Sequence, residues 1–148
     1  MTNIFFDTDV ILDISIKRSI DIKDSVKILN LVEKGVFKGY TSSVIFSNIY
    51  YIQRKLIGHE VSINFLKKLR VLLTVLDVND QIIQKALESE FKDYEDAIQY
   101  FTALENNLDC IVTRNIKDYN QSLIPAITPT DLLNKIENEK GNKNISKS

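Results

Sequence analysis

Apolar residues occur along this chain in two kinds of segment, short runs and longer stretches with helical spacing. Short runs of β-branched and aromatic residues predict buried strands, whereas apolar residues three or four positions apart predict helices with one inward face. The predicted strands cover residues 4–6, 37–41, 74–76 and 110–113, with a last short strand and turn at 125–129. The predicted helices lie around residues 10–14 and at 24–33, 44–56, 60–72, 80–90, 94–106 and 130–136.

The alternation of these elements predicts an α/β fold. Parallel neighbouring strands need a crossover connection, so we expect a mostly parallel sheet covered by helices, with a largely buried helix at 44–56. A chain of 148 residues is long enough for one hydrophobic core. We therefore predict one domain over residues 1–137. The polar segment 138–148, rich in Lys, Asn and Ser, is predicted to be a disordered tail.

Composition and the chain ends predict a cytoplasmic protein. Hydrophobic residues make up 44% and charged residues 26% of the chain, as in ordinary globular proteins. The single cysteine, Cys110, cannot form an internal disulfide and lies in an apolar stretch, which is typical of a reducing compartment. The N-terminal segment lacks the basic start of a signal peptide, and no apolar run approaches the length of a membrane span. We expect no membrane partner.

The charge balance limits how the chain could hold a nucleic acid. Its net charge is −1, whereas proteins that bind mainly by neutralising phosphates usually carry a strong basic excess. Any RNA contact must therefore come from local patches. The candidates are Arg54 with Lys55, the basic segment 67–70, and Arg114 with Lys117. Each of these is more typical of a solvated helix face.

Asp7 is the first candidate site residue, because it follows the first predicted strand directly. In open α/β sheets, ligands bind beyond the carboxyl ends of the strands, where this side chain would project. The alternative is a helix N-cap, a position that Asp often occupies without any function. Asp9, two residues later, is more typical of a charge that stabilises the helix N-terminus. The residues themselves leave both interpretations of Asp7 open.

Two further polar groups lie at comparable places in the predicted fold. Asp93 and Asp96 open a late helix and share one face, so one can cap the helix while the other faces a site. Thr113, Asn115 and Asp118 follow the strand at 110–113 and can reach the same rim. Carboxylates that converge would repel one another unless a cation is bound, and oxygen ligands favour Mg²⁺ or Mn²⁺. Such a cation could support hydrolysis of a phosphodiester.

Three motifs in this order resemble PIN-domain proteins: Asp-Thr-Asp-Val-Ile-Leu-Asp at 7–13, Glu-Asp-Ala-Ile-Gln at 95–99, and Ile-Val-Thr-Arg-Asn-x-x-Asp-Tyr at 111–119. The resemblance covers residues 3–134 and is strongest to bacterial toxins of the VapC type. It implies a three-layer α/β/α sandwich and a Mg²⁺- or Mn²⁺-dependent endoribonuclease. It also implies a cognate antitoxin protein and a homodimer.

The resemblance assigns roles to individual residues. Asp7, Asp96 and Asp118 match the family's acidic residues and are expected to be catalytic. Asn115 joins these three as an expected metal ligand. The expected supporting residues are Thr8, Asn48, Asp93 and Thr113, and the expected RNA contacts are Arg54, Lys55, Arg114 and Lys117.

One position departs from the family pattern. PIN nucleases usually place a glutamate early in the helix after the second strand, and this chain has Asn48 there. The amide oxygen can still coordinate a cation or hold a water, but it contributes no charge, so weaker metal binding is expected. One alternative to the nuclease is therefore an RNA-binding or antitoxin-binding PIN module. A more remote alternative is a phosphatase of the haloacid-dehalogenase type, because Asp7 and Asp9 resemble the Asp-x-Asp opening of that family, with Asp7 as its nucleophile.

Overall fold

The computed structural model describes residues 3–17 and 22–146, with side chains described to residue 141. The strands are β1 (Asn3–Phe6), β2 (Lys38–Ser42), β3 (Thr74–Leu76), β4 (Cys110–Val112) and β5 (Ala126–Ile127). The helices are α1 (Thr8–Ile16), α2 (Ile22–Glu33), α3 (Ser43–Ile57), α4 (His59–Leu72), α5 (Asp80–Glu88), α6 (Tyr94–Glu105) and α7 (Pro129–Ser146). A 3₁₀ helix (Ile116–Tyr119) follows β4. Every predicted strand and helix is present.

The five strands form one parallel sheet in the order β3-β2-β1-β4-β5. The central strand β1 pairs with β2 on one side and β4 on the other, so Phe5 lies opposite both Tyr40 and Ile111. Ile4, Phe5 and Phe6 are completely buried, as expected for a parallel strand covered on both faces. The predicted parallel sheet is confirmed.

The connections place helices on both faces of the sheet. From β1 to β2 and from β2 to β3 the chain moves outward in one direction, and from β3 it returns past β1 to β4. Because parallel crossovers are right-handed, α1 to α4 cover one face, and α5 and α6 cover the other. The packing agrees, since α1 contacts α2 and α3, whereas α5 packs on α6. The molecule is thus a three-layer α/β/α sandwich.

Strand β2 and helix α4 approach closely at Gly39. A Cβ atom at this position would lie 2.4 Å from Leu73 Cδ2 and 3.1 Å from Val32 Cγ1, so only glycine fits without displacement.

In β4, Cys110 is buried. This burial, followed by the negative charge of Asp109, raises the pKa of its thiol to about 11. The thiol is therefore protonated at neutral pH and serves as a small core side chain, as predicted.

Helix α3 is less buried than its apolar sequence predicts. The side chain of Ser42 caps its first turn by accepting from the backbone N–H of Ile45 at 3.2 Å. Only one stripe of the helix is buried, whereas Tyr51 is 56% exposed and Leu56 is 65% exposed. The apolar residues on several sides of α3 were misleading, because α1 and α4 cover only part of its surface.

Helix α7 is longer than the predicted closing helix at 130–136. It begins at Pro129 and continues to Ser146, although residues 137–146 include three asparagines and Gly141, which have low helix propensity. The division into a domain at 1–137 and a tail at 138–148 stays a prediction. Residues 1–2 and 18–21 of that domain and residues 147–148 of that tail lie outside the described residues. Within the described ranges, no helix has the length and apolar character needed to cross a bilayer.

Candidate active site

The candidate site lies where the sheet reverses its strand order. The chain leaves β1 toward β2, and β4 lies on the opposite side of β1. The connections that leave the carboxyl ends of β1 and β4 therefore diverge and open a crevice, which is the usual ligand position in open α/β sheets. Asp7 follows β1 directly, and Thr113 follows β4.

Asp7 is held by the opposite strand end and does not cap α1. Its residue occupies the N-cap position, yet its side chain makes no capping hydrogen bond. Instead, its Oδ2 accepts a 2.7 Å hydrogen bond from Thr113 Oγ1. Thr113 Oγ1 in turn accepts from the backbone N–H of Asn115 at 3.1 Å. The structure thus decides between the two interpretations of Asp7 in favour of a side chain fixed at the crevice.

Burial makes ionisation of Asp7 unfavourable. The side chain is only 5% exposed, and this desolvation raises the pKa of the carboxyl group from 3.8 to about 6. The hydrogen bond from Thr113 partly opposes the rise, whereas the charges of Asp9 and Asp118 add to it.

Asp93 and Asp96 divide their roles at the start of α6. Asp93 Oδ1 accepts from the backbone N–H of Asp96 at 3.0 Å, which is a normal N-cap. The carboxylate of Asp96 instead lines the crevice. Burial is the largest cause that raises the pKa of Asp96 from 3.8 to about 7, followed by the charges of Asp93, Asp118 and Asp7.

Two adjacent cavities meet at Asp96. The first, of about 370 Å³, is lined by Asp7, Thr8, Asp9, Leu12, Asn48, Tyr51, Ile52, Glu95, Asp96 and Gln99. The second, of about 330 Å³, is lined by Phe91, Lys92, Asp93, Asp96, Lys117, Asp118, Asn120 and Gln121. The structure therefore places Asp7 and Asp118 on either side of Asp96.

Two residues that the sequence analysis missed connect this acidic cluster to the core. Gln99, only 3% exposed, accepts a 2.6 Å hydrogen bond from Tyr119 Oη and donates one of 3.2 Å to Thr8 Oγ1. Burial raises the pKa of Tyr119 far above its usual range, and nearby Asp7 and Asp96 add to the rise, so its hydroxyl stays protonated. An available signal was the polar Gln99 within the apolar stretch of α6.

Asn48 and Asn115 occupy different surroundings. Asn48 lines the first cavity, and its Nδ2 is buried without a hydrogen-bond partner. Asn115 is exposed and lines a separate cavity with Ser25 and Thr130, although its backbone N–H supports Thr113. Its predicted role as a metal ligand stays a prediction, because its side chain lines neither of the two cavities around Asp96.

The predicted RNA contacts also separate into distinct groups. Arg114 Nε lies 3.3 Å from Asp13 Oδ2, a carboxylate on α1 that is almost fully buried, so this guanidinium joins the end of β4 to α1. Lys117 lines the second cavity beside Asp118. Arg54 and Lys55 lie on the exposed side of α3.

The donor atoms of the site suit a hard divalent cation. Among the described residues, no three His, Cys, Asp or Glu side chains form a compact group ready to hold a metal ion. The carboxylates of Asp7, Asp96 and Asp118 are nevertheless close enough to raise the pKa of Asp96 together. Negative oxygen donors that destabilise one another in this way are stabilised by a cation such as Mg²⁺ or Mn²⁺.

Comparison with known proteins identifies the family. A protein-family model described as "PIN domain" matches residues 3–117. The chain belongs to the PIN domain family. The sequence resemblance is therefore confirmed, and the haloacid-dehalogenase alternative loses its support. Among curated proteins, Ribonuclease VapC1 of Aquifex aeolicus (strain VF5) is 26% identical over 125 residues, which are 81% of this chain and 86% of the relative.

Solved structures confirm the PIN fold. VapBC2 from Rickettsia felis bound to a DNA fragment from their promoter matches with a TM-score of 0.65 and 15% identity, over 84% of this chain and 97% of the other. A toxin-antitoxin complex from Klebsiella pneumoniae matches with a TM-score of 0.63 and 19% identity, over 84% of this chain and 96% of the other. At these identities the similarity concerns the fold alone.

Proposed function

We propose that this PIN-domain protein is a metal-dependent endoribonuclease and the toxin of a type II toxin-antitoxin pair. The observation that supports this most is the convergence of Asp7 and Asp96 on one crevice, both with pKa values raised toward neutrality. The similarity to a relative named Ribonuclease VapC1 supports RNA as the substrate. Asp7, Asp96 and Asp118 are the proposed catalytic residues.

The proposed cation is Mg²⁺ or Mn²⁺, and Asp7, Asp96 and Asp118 would hold it. Such an ion supplies Lewis-acid stabilisation of charge on the phosphodiester. The chain itself fixes the geometry, because Thr113 restrains Asp7, and the Asp93 cap fixes the start of the helix that carries Asp96.

The partners follow from the same similarity. The Klebsiella pneumoniae structure is described as a toxin-antitoxin complex, and we propose a cognate antitoxin for this chain as well. We further propose a homodimer and a cytoplasmic location.

A second candidate function is supported by Asn48. This residue gives the crevice a neutral amide where a carboxylate would strengthen cation binding, and its Nδ2 is buried without a partner. The alternative is therefore a PIN module that binds RNA or the antitoxin without cutting. The two functions differ in one observable, since only the nuclease shortens RNA in a cation-dependent manner.

The test is RNA cleavage by the purified protein with Mg²⁺, Mn²⁺ or EDTA. We expect cleavage with either ion, none with EDTA, and a loss of at least about 100-fold in Asp7→Asn and Asp96→Asn, as is typical when charge stabilisation is removed. Asp80→Asn is the matched control, because Asp80, like Asp96, lies in the first turn of a helix but is outside both cavities. Cleavage that persists in EDTA, or in both site variants, would contradict the nuclease.

A further inference from the structure

An exposed tyrosine lies at the rim of the acidic crevice. Tyr51 is 56% exposed and lines the same cavity as Asp7 and Asp96. Tyr51 shares this face of α3 with Asn48, one turn earlier, because residues three apart on a helix are neighbours. More than half of this aromatic residue is therefore open to solvent beside a polar crevice.

Two cationic side chains lie close to this ring. Lys55 Nζ lies 4.2 Å from the centroid of the Tyr51 ring and donates a 3.1 Å hydrogen bond to its hydroxyl. Arg54 Cζ lies 5.7 Å from the same centroid. Both distances are within the range of cation–π attraction. The two side chains are exposed and continue along α3 away from the carboxylates.

The charge of the crevice restricts how a nucleic acid could bind there. Asp7, Asp9, Glu95 and Asp96 line the cavity, and the whole chain has a net charge of −1, so phosphate neutralisation alone is a weak source of affinity. Proteins that bind single strands add aromatic rings on which unpaired bases stack, with cations nearby for the backbone. Tyr51 supplies such a ring, and Arg54 and Lys55 supply the cations.

We propose that Tyr51, with Arg54 and Lys55, forms an aromatic platform that stacks one unpaired base of single-stranded RNA beside the carboxylates. The cations contact the adjoining phosphates. The inference rests on the proposed function, because it takes RNA as the substrate. It adds a binding residue, Tyr51, and a preference for unpaired over duplex RNA.

The chain offers a direct optical test, since it contains no tryptophan. Tyr51→Trp therefore introduces a single tryptophan on the platform, whose fluorescence can be excited selectively over that of the tyrosines. Leu56→Trp is the matched control, because Leu56 is similarly exposed on the same helix but does not line the cavity. Both are made with Asp7→Asn and Asp96→Asn, which remove two repelling charges and prevent cleavage. We expect short oligoadenylate to quench fluorescence at position 51 and not at position 56, and a duplex of equal length to quench neither.

Binding measurements in the same background separate stacking from charge. We expect Tyr51→Ala to weaken oligoadenylate binding roughly 5- to 100-fold without changing the salt dependence, whereas Tyr51→Phe binds almost normally. Lys55→Ala should instead lower the slope of log affinity against log salt by about 0.7, the value for one phosphate contact. Lys38→Ala should not, because Lys38 is exposed at the start of β2, at the other end of the sheet from the crevice. Three results would overturn the platform. They are equal quenching of the tryptophans at positions 51 and 56, equal affinity for duplex and single-stranded RNA, and an unchanged affinity for oligoadenylate in Tyr51→Ala.

The outcome is distinguishable from that of the proposed function. Cleavage by the wild-type chain with unchanged binding in Tyr51→Ala would overturn the platform and leave the nuclease standing. If the wild-type chain does not cut RNA, but oligoadenylate still quenches fluorescence selectively at position 51, the platform is supported and the nuclease is contradicted.

Discussion

Two carboxyl groups in the crevice are held in surroundings that disfavour their charge. Burial is the main cause at both Asp7 and Asp96, and the mutual repulsion of the acidic cluster adds to it. Thr113 offsets part of the free-energy cost of ionising Asp7, since its hydroxyl donates a hydrogen bond to the charged carboxylate. Folding thus places two destabilised negative charges where a cation or a proton can relieve them.

This arrangement predicts how stability depends on pH in the metal-free protein. The ordinary pKa of both groups is 3.8, whereas in the folded protein it is about 6 for Asp7 and about 7 for Asp96. Between pH 3.8 and 7 the folded state binds more protons than the unfolded state, so the free energy of unfolding contributed by these groups falls as pH rises. In Asp7→Asn and in Asp96→Asn, the free energy of unfolding should therefore fall less as pH rises.

We expect each variant to exceed the wild type in unfolding free energy at pH 8 in EDTA by about 1–3 kcal/mol, allowing for solvent screening at Asp96. The difference should be small near pH 4. Urea denaturation at both pH values measures it, and Asp80→Asn controls for the loss of one exposed acidic charge. Variants that are less stable than the wild type at pH 8 would contradict the destabilised carboxylates.

At the scale of single elements, the register of α3 decides what faces the crevice. Ser42 caps its first turn, and from this start Asn48 and Tyr51 both come to line the cavity. The same helix turns Ile45 and Ile49 into the core. Asn48, which we expect at the position of the family's usual glutamate, therefore lies at the crevice itself, on a helix whose N-terminus is fixed by a buried cap.

Asn48→Glu tests the consequence of this departure. A carboxylate at this position adds charge to the oxygen donors, so we expect Mn²⁺ to bind about tenfold more tightly. Asn48→Gln is the matched control, because it has the same length without the charge. Titration calorimetry with Mn²⁺ gives the affinities. If the Glu and Gln variants bind the ion equally, position 48 does not contribute to the cation site.

At the scale of the whole molecule, the reversal of strand order assembles the site from distant parts of the chain. Asp7 and Thr113 come from β1 and β4, which are neighbours only because the chain returns past β1 after completing β3. Helix α6, which carries Asp96 and Gln99, covers one face of this junction. Helix α7 packs on α2 and buries Leu132.

A deletion tests where this fold ends. The described side chains beyond Ile136, at residues 137–141, are all exposed. We therefore expect deletion of residues 138–148 to change the free energy of unfolding by less than about 0.5 kcal/mol in urea denaturation. Leu132→Ala is the control, because it removes a fully buried side chain from α7 and should cost about 2–5 kcal/mol. A large loss on deletion would move the domain boundary toward Ser146.

The order of the elements and the positions of the acidic residues follow from local sequence patterns alone. Strands and helices follow from local periodicity, and Asp7, Asp96 and Asp118 stand next to element ends that this periodicity locates. Local patterns also predicted that Asp93 or Asp96 would cap α6.

Which polar groups meet, in contrast, depends on how the elements pack together. The hydrogen bonds of Asp7 with Thr113 and of Gln99 with Thr8 and Tyr119 join segments far apart in sequence, and no local pattern records such pairings. The exposure of Tyr51 likewise depends on how much of α3 its neighbours cover. Burial and charge proximity, which set the pKa values of the crevice, exist only once these elements have packed together.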